Sequence, residues 1–209
     1  MSARPVHASG VHEELAGSEG ARFGMWLFLL TELLLFGVLF TAYAVFRAQH
    51  TEAFHEAHLE LNRLLGTINT VLLITSSWWM AVAVWAVREG RRKLATWALS
   101  GTFLLGYAFL INKAFEYHAK IQHGLFPGMT ALEALPHGER LFFSLYFTLT
   151  GLHSLHVLAG LSLIGYLLMR RMTGGLGPRD ATRVEVVGLY WHLVDLIWIY
   201  LFPLLYLIG

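Results

Sequence analysis

The stretch LYWHLVDLIWIYLFPLLYLIG, residues 189–209, decides the fold. It is almost wholly apolar. As a helix rising ~1.5 Å per residue it covers the ~30 Å hydrocarbon core of a bilayer. Yet it carries His192 and Asp195, three positions apart and so on one helical face. A carboxylate facing lipid costs at least ~2.5 kcal/mol. That face is therefore expected to meet protein, and the helix to be one member of a bundle.

Composition extends this reading to the whole chain. Of 209 residues, 56% are hydrophobic and 14% charged, against ~25% charged in soluble domains. Mean hydropathy is +0.55. The absence of cysteine excludes disulfides, thiolate metal ligands, cysteine nucleophiles and c-type haem attachment. A net charge of +1 gives no field suited to nucleic acid. No nucleotide-binding glycine loop, nucleophile elbow or HExxH motif is present. Residues 1–21 are polar and lack an apolar signal core. They are expected to form a cytoplasmic tail, with the first span acting as its own insertion signal.

Working outward from the last helix, the apolar pattern predicts an all-α polytopic membrane protein. Residues 22–209 form one five-helix domain, with spans at about 22–46, 66–87, 94–118, 140–169 and 188–208. Between Arg22 and Arg47, span one holds one formal charge, Glu32. Its Thr31 and Thr41 are expected to bond back to their own helix. Span two is rich in Asn, Ser and Thr, which favours close packing and interhelical hydrogen bonds. Gly101 and Gly106 allow close approach in span three. That span ends in a cluster containing Asn112, Lys113 and Glu116, in which Lys113 and Glu116, at i and i+3, can pair locally or lie near the interface with Lys113 snorkelling. Span four centres on TGLHSLHVLAG with His153 and His156. Glu185 is a candidate cap for span five, and Pro203 is expected to kink it.

Ionisable groups at membrane depth are functional candidates. Here they are Glu32, Glu116, His153, His156, His192 and Asp195, expected to join as a carboxylate–imidazole network between spans. Trp78, Trp79, Arg88, Arg91, Trp191 and Trp198 are candidate contacts for lipid or neighbouring subunits. The connection 47–65 holds His50, His55 and His58, which raise a surface metal site against a solvated loop with a short interfacial helix. His153, His156 and His192 likewise raise haem ligation against plain hydrogen bonding. Loops 88–93 and 170–187 hold eight Lys or Arg, whereas 47–65 and 119–140 hold Arg47, Arg63, Lys120 and Arg140. The positive-inside rule places the N-terminus in the cytoplasm and the C-terminus outside.

Several stretches together resemble subunit III of the haem–copper respiratory oxidases, in its short five-helix bacterial form. They are GMWLFLLTELLLF, TINTVLLITSSW, FEYH, TGLHSLHVLAG and YWHLVDLIWIYLF. The seven-helix form of that family has two further helices in front, across a lipid-filled cleft. The resemblance implies a non-redox accessory subunit of a proton-pumping terminal oxidase in the bacterial inner membrane, not catalytic by itself. Haem and copper would lie in partner subunits and none in this chain. The catalytic subunit I would be the main partner, with subunit II, small subunits and bound phospholipid around it. The implied roles are stabilising subunit I, supporting proton uptake, binding lipid and giving oxygen access. Lys113 departs from the pattern, where Gln or an acid is expected. Two other readings stay open: a subunit-III-like protein of a nitric-oxide reductase system, and an independent transporter.

Overall fold

The computed structural model describes residues 8–172 and 180–208. Seven helices follow in order: α1 (Ala8–Gln49), α2 (Thr51–Leu59), α3 (Arg63–Arg88), α4 (Arg92–Gln122), α5 (Thr130–Glu133), α6 (His137–Met172) and α7 (Ala181–Phe202). A π-helical turn, Pro203–Leu207, ends the chain's last helix. Among the described residues, five helices are long and apolar enough to cross a membrane: α1, α3, α4, α6 and α7. The chain is thus an all-α, polytopic membrane bundle.

Helix ends differ from the sequence reading in two places. Residues 8–21 are helical and run straight into the first span, while 1–7 lie outside the described residues. The connection 47–65 does contain a short helix, α2, but it is less solvated than expected, with Phe54, Ala57 and His58 buried. Phe54 sets its ring against Tyr43 and Phe142, so α2 folds back onto the bundle. The glycine-rich part of the 170–187 loop, 173–179, lies outside the described residues. Elsewhere local chemistry sets the ends. Asn62 caps α3 by accepting from the Leu65 N–H at 3.2 Å. Gly90, at φ 66°, turns the chain from α3 into α4 as only glycine does without strain.

The core is a ring of four helices. α3 packs on α4 and α7, and α6 packs on α4 and α7. α1 lies outside this ring against α7 and α6. Only 11% of its apolar stretch is buried, against 50% for the last span. Thr31 and Thr41 bond back to the carbonyls of Phe28 and Gly37, as expected. Leaving most of an apolar helix uncovered is sustainable in lipid, where it would not be in water.

α7 fills the ring with two tryptophans, Trp191 and Trp198, seven residues and so about two turns apart. Both are essentially fully buried. They are therefore not contacts for lipid or another subunit. Trp191 lies in a slot left by two glycines. A Cβ on Gly106 of α4 would come 2.5 Å from its ring, and one on Gly160 of α6 would come 2.7 Å away. Its indole N–H donates to Ser76 Oγ of α3 at 3.0 Å. Trp198 donates to Thr70 Oγ1 at 3.0 Å. Its ring packs on Phe109 of α4 and His153 of α6. The hydroxyl-rich span two thus supplies acceptors for indoles that lipid could not supply.

The slot admits no methyl group without moving the ring. Gly106→Ala should lower stability by about 1–3 kcal/mol, read as a lower thermal midpoint in detergent. Adding Trp191→Phe, which lacks the atoms that collide, should recover part of the loss.

Candidate functional site

The six ionisable residues do not form one network. They fall into separate groups, each joining different helices.

Glu32 of α1 reaches His156 of α6, with Oε2 2.7 Å from Nε2. The His156 Nδ1 lies 2.8 Å from the Leu152 carbonyl. A carbonyl only accepts, so Nδ1 carries the proton that fills this bond. Glu32 and Nε2 then share one further proton between them. Both side chains are largely buried, at 13% and 14% exposed, and the Phe36 ring packs edge-on against the imidazole. Tyr190 of α7 donates to the His156 carbonyl at 3.0 Å. This group fastens the outlying α1 to the ring.

His192 of α7 meets Ser77 of α3, with Nδ1 2.6 Å from Oγ. Asp195, about one turn further along α7, is buried, and its Oδ1 has no hydrogen-bond partner among the described residues.

Glu116 stands apart from all the histidines. It pairs with Lys113 at 3.0 Å and accepts from the hydroxyls of Tyr146 and Tyr206. Lys113 does not snorkel: it is 2% exposed. Its neighbour Asn112 turns the other way and bonds Asn69 of α3 at 3.0 Å. His153 is fully buried, and neither ring nitrogen has a partner among the described residues.

The haem-ligand reading of the three histidines does not fit this arrangement. His156 has both nitrogens committed, His192 is bonded to Ser77, and the His153 ring is walled by Phe109 and Trp198. No group of three His, Cys, Asp or Glu could hold a metal among the described residues. In α2, His58 Nδ1 bonds the His55 carbonyl at 2.5 Å, and Nε2 lies 3.0 Å from an Arg63 nitrogen. Arginine only donates, so this imidazole is neutral, with its proton on Nδ1.

The remaining candidates lie at helix ends and on the surface. Glu185 does not cap α7: it bridges Arg22 of α1 and Arg88 of α3, each at 2.9 Å. Arg91 stacks on Trp85 at 4.7 Å. Trp78 is 60% exposed, while Trp79 packs beside Gly101. Sequence reasoning missed the tyrosines. Tyr146, Tyr190 and Tyr206 each place a hydroxyl on an interhelical bond. The signal available was phenols lying well inside apolar spans.

Two expectations follow. Gln at 32 keeps the bond to His156 by donating its amide proton, so Glu32→Gln should preserve stability. Glu32→Leu should lose about 1–3 kcal/mol by leaving Nε2 unpaired, read as a thermal midpoint. His58 is held below its ordinary 6.5 by burial first and then by the nearby Arg63. The neutral form is therefore the docked one. Its contribution is fully present above pH 6.5 and lost as pH falls below that value. Hydrogen exchange across 51–59 should speed up on lowering the pH to about 5.5, after correction for intrinsic rates, and His58→Gln should flatten this dependence.

Comparison with known proteins shows the family. The model of the family described as cytochrome c oxidase subunit III matches residues 4–209. The cytochrome bo(3) ubiquinol oxidase subunit 3 of Pseudomonas aeruginosa is 34% identical over 208 residues, covering 98% of this chain and 93% of that one. The cytochrome c oxidase subunit 3 of Alkalihalophilus pseudofirmus is 33% identical over 200 residues, covering 95% and 92%. A heme-copper oxidase subunit I+III of Aeropyrum pernix is 32% identical over 193 residues, covering 90% of this chain and 22% of that one. With the match running through all five spans, the chain belongs to the cytochrome c oxidase subunit III family.

Proposed function

We propose that this chain stabilises the haem- and copper-bearing catalytic subunit of a terminal oxidase in a bacterial inner membrane, without carrying electrons itself. Family membership gives it a structural, accessory role in a haem–copper oxidase complex. The observation that carries the finer reading is where its deep polar groups spend their bonds. Glu32, Glu116 and His192 each join one helix of the bundle to another. Side chains used this way set the shape of a subunit that others pack against.

Subunit I is the proposed principal neighbour. The Aeropyrum pernix relative is named as subunits I and III together, which supports direct contact between the two. Subunit II, small subunits and phospholipid complete the surroundings. Support for lipid comes from a lateral groove of about 330 Å³ between α1 and α7. Leu29, Leu30, Leu33, Leu193 and Leu196 line it, with His192 on its wall. Such a groove suits an acyl chain and would equally admit oxygen. Proton uptake is proposed to be supported from the cytoplasmic end. The loop charges support an orientation with the Arg22–Glu185–Arg88 cluster at that end.

Purification in mild detergent tests the reading. The chain should bring down a large multispan subunit with a haem spectrum, and the preparation should consume oxygen with quinol or cytochrome c. A colourless chain recovered alone from intact membranes would overturn it.

A further inference from the structure

We propose that Lys113, Glu116, Tyr146 and Tyr206 form a closed, ionised latch that holds the C-terminal turn to the bundle and, through it, the end of the first span. Lys113 Nζ donates to Glu116 Oε2 at 3.0 Å, to the Tyr146 hydroxyl at 3.1 Å and to the Tyr206 hydroxyl at 2.9 Å. The two phenols then donate to Glu116 Oε1, at 2.8 Å from Tyr146 and 2.6 Å from Tyr206.

Proton counting closes the cluster around one proton shared by the pair. As an ion pair, the ammonium gives its three protons to three acceptors. With that proton on Glu116 Oε2 instead, the carboxyl donates to the amine lone pair and the two phenols still receive the remaining amine protons. The surrounding ring faces favour the first arrangement, with Lys113 a cation and Glu116 an anion. The rings of Tyr146, Trp198, Tyr117 and Tyr206 surround the ammonium at 4.9, 5.3, 5.4 and 5.6 Å from their centroids. They add cation–π attraction in a site closed to water.

The latch joins three elements: α4 supplies the ion pair, α6 supplies Tyr146, and the π-helical turn supplies Tyr206. That turn is where Pro203 interrupts the normal backbone bonding. Its carbonyls are taken up by α1. Tyr43 donates to the Leu204 carbonyl at 2.9 Å, and Arg47 donates to the Ile208 carbonyl. α1 is thus held at this end through a turn that the latch itself fixes.

The test uses the assembled oxidase complex in detergent, with hydrogen exchange followed by peptide mass spectrometry. Lys113→Met leaves a buried carboxylate without its cation. It should speed exchange at 203–208 and 43–49 by at least about tenfold. Lys113→Met with Glu116→Gln removes both charges and should return exchange to within about threefold of the parent. Tyr206→Phe deletes one hydroxyl, leaves the ion pair and should speed exchange at 203–208 alone. If Lys113→Met fails to assemble, assembly of the double variant supports the latch. Unchanged exchange at 203–208 in Tyr206→Phe, or a double variant no better than Lys113→Met, overturns it.

Discussion

The fold depends on filling the space between four helices with two indoles from one of them, α7. Trp191 and Trp198 stand on one face of α7 and occupy the middle of the ring made with α3, α4 and α6. Lipid is as apolar as leucine, so hydrophobic burial alone gives these helices little reason to associate. Close packing and satisfied polar groups must do it. Trp191 supplies both: its ring fits against bare backbone at Gly106 and Gly160, and its N–H is accepted by Ser76. Removing the acceptor or filling the slot attacks the same contact from opposite sides.

The polar side chains follow the same logic at larger radius. Most have a partner on another helix chosen by reach; His153 instead meets the rings of Phe109 and Trp198. Glu32 extends from the poorly buried α1 to His156, and Ser77 receives His192 across the α3–α7 contact. Buried hydrogen bonds between membrane helices are individually modest, ~1 kcal/mol or less in measured cases. Their value here is geometric. An unsatisfied partner in hydrocarbon costs more than the bond gains, so each pair strongly disfavours rotation of one helix against another. The exposed Arg22–Glu185–Arg88 cluster is weaker for its solvation, yet it gathers the ends of α1, α3 and α7 on one side.

Much of this was legible in the sequence. Runs of apolar residues of bilayer length gave five spans, because that signal depends on composition alone. The hydroxyl-rich second span read correctly as one that makes interhelical hydrogen bonds. Partner identities were not legible. His153 and His156 look equivalent at i and i+3, yet one meets a carboxylate and the other meets aromatic rings. Which neighbour a face meets is set by the order of helices around the ring, and span hydropathy does not encode that order. Trp191 and Trp198 illustrate the same gap. Tryptophan in a membrane segment favours the interface, but that preference yields where glycines on facing helices leave a cavity of its shape. Lys113 looked like a snorkelling residue because length and hydropathy placed it toward a helix end. The two phenols that hold it come from residues 33 and 93 positions away.

That last contrast says why one ion pair can lie buried beside helices that otherwise avoid charge. A buried pair generally returns little net stability, because desolvating both ions offsets their attraction. What it returns is a single acceptable geometry. An apolar side chain at 113 could settle in many packings, whereas a cation with three donors and three fixed acceptors has one. The chain's last turn is short, interrupted by proline and peripheral in sequence, and it has few backbone bonds of its own to define it. It is the segment where geometry most needs to be imposed from outside, and it is where Tyr206, Tyr43 and Arg47 converge.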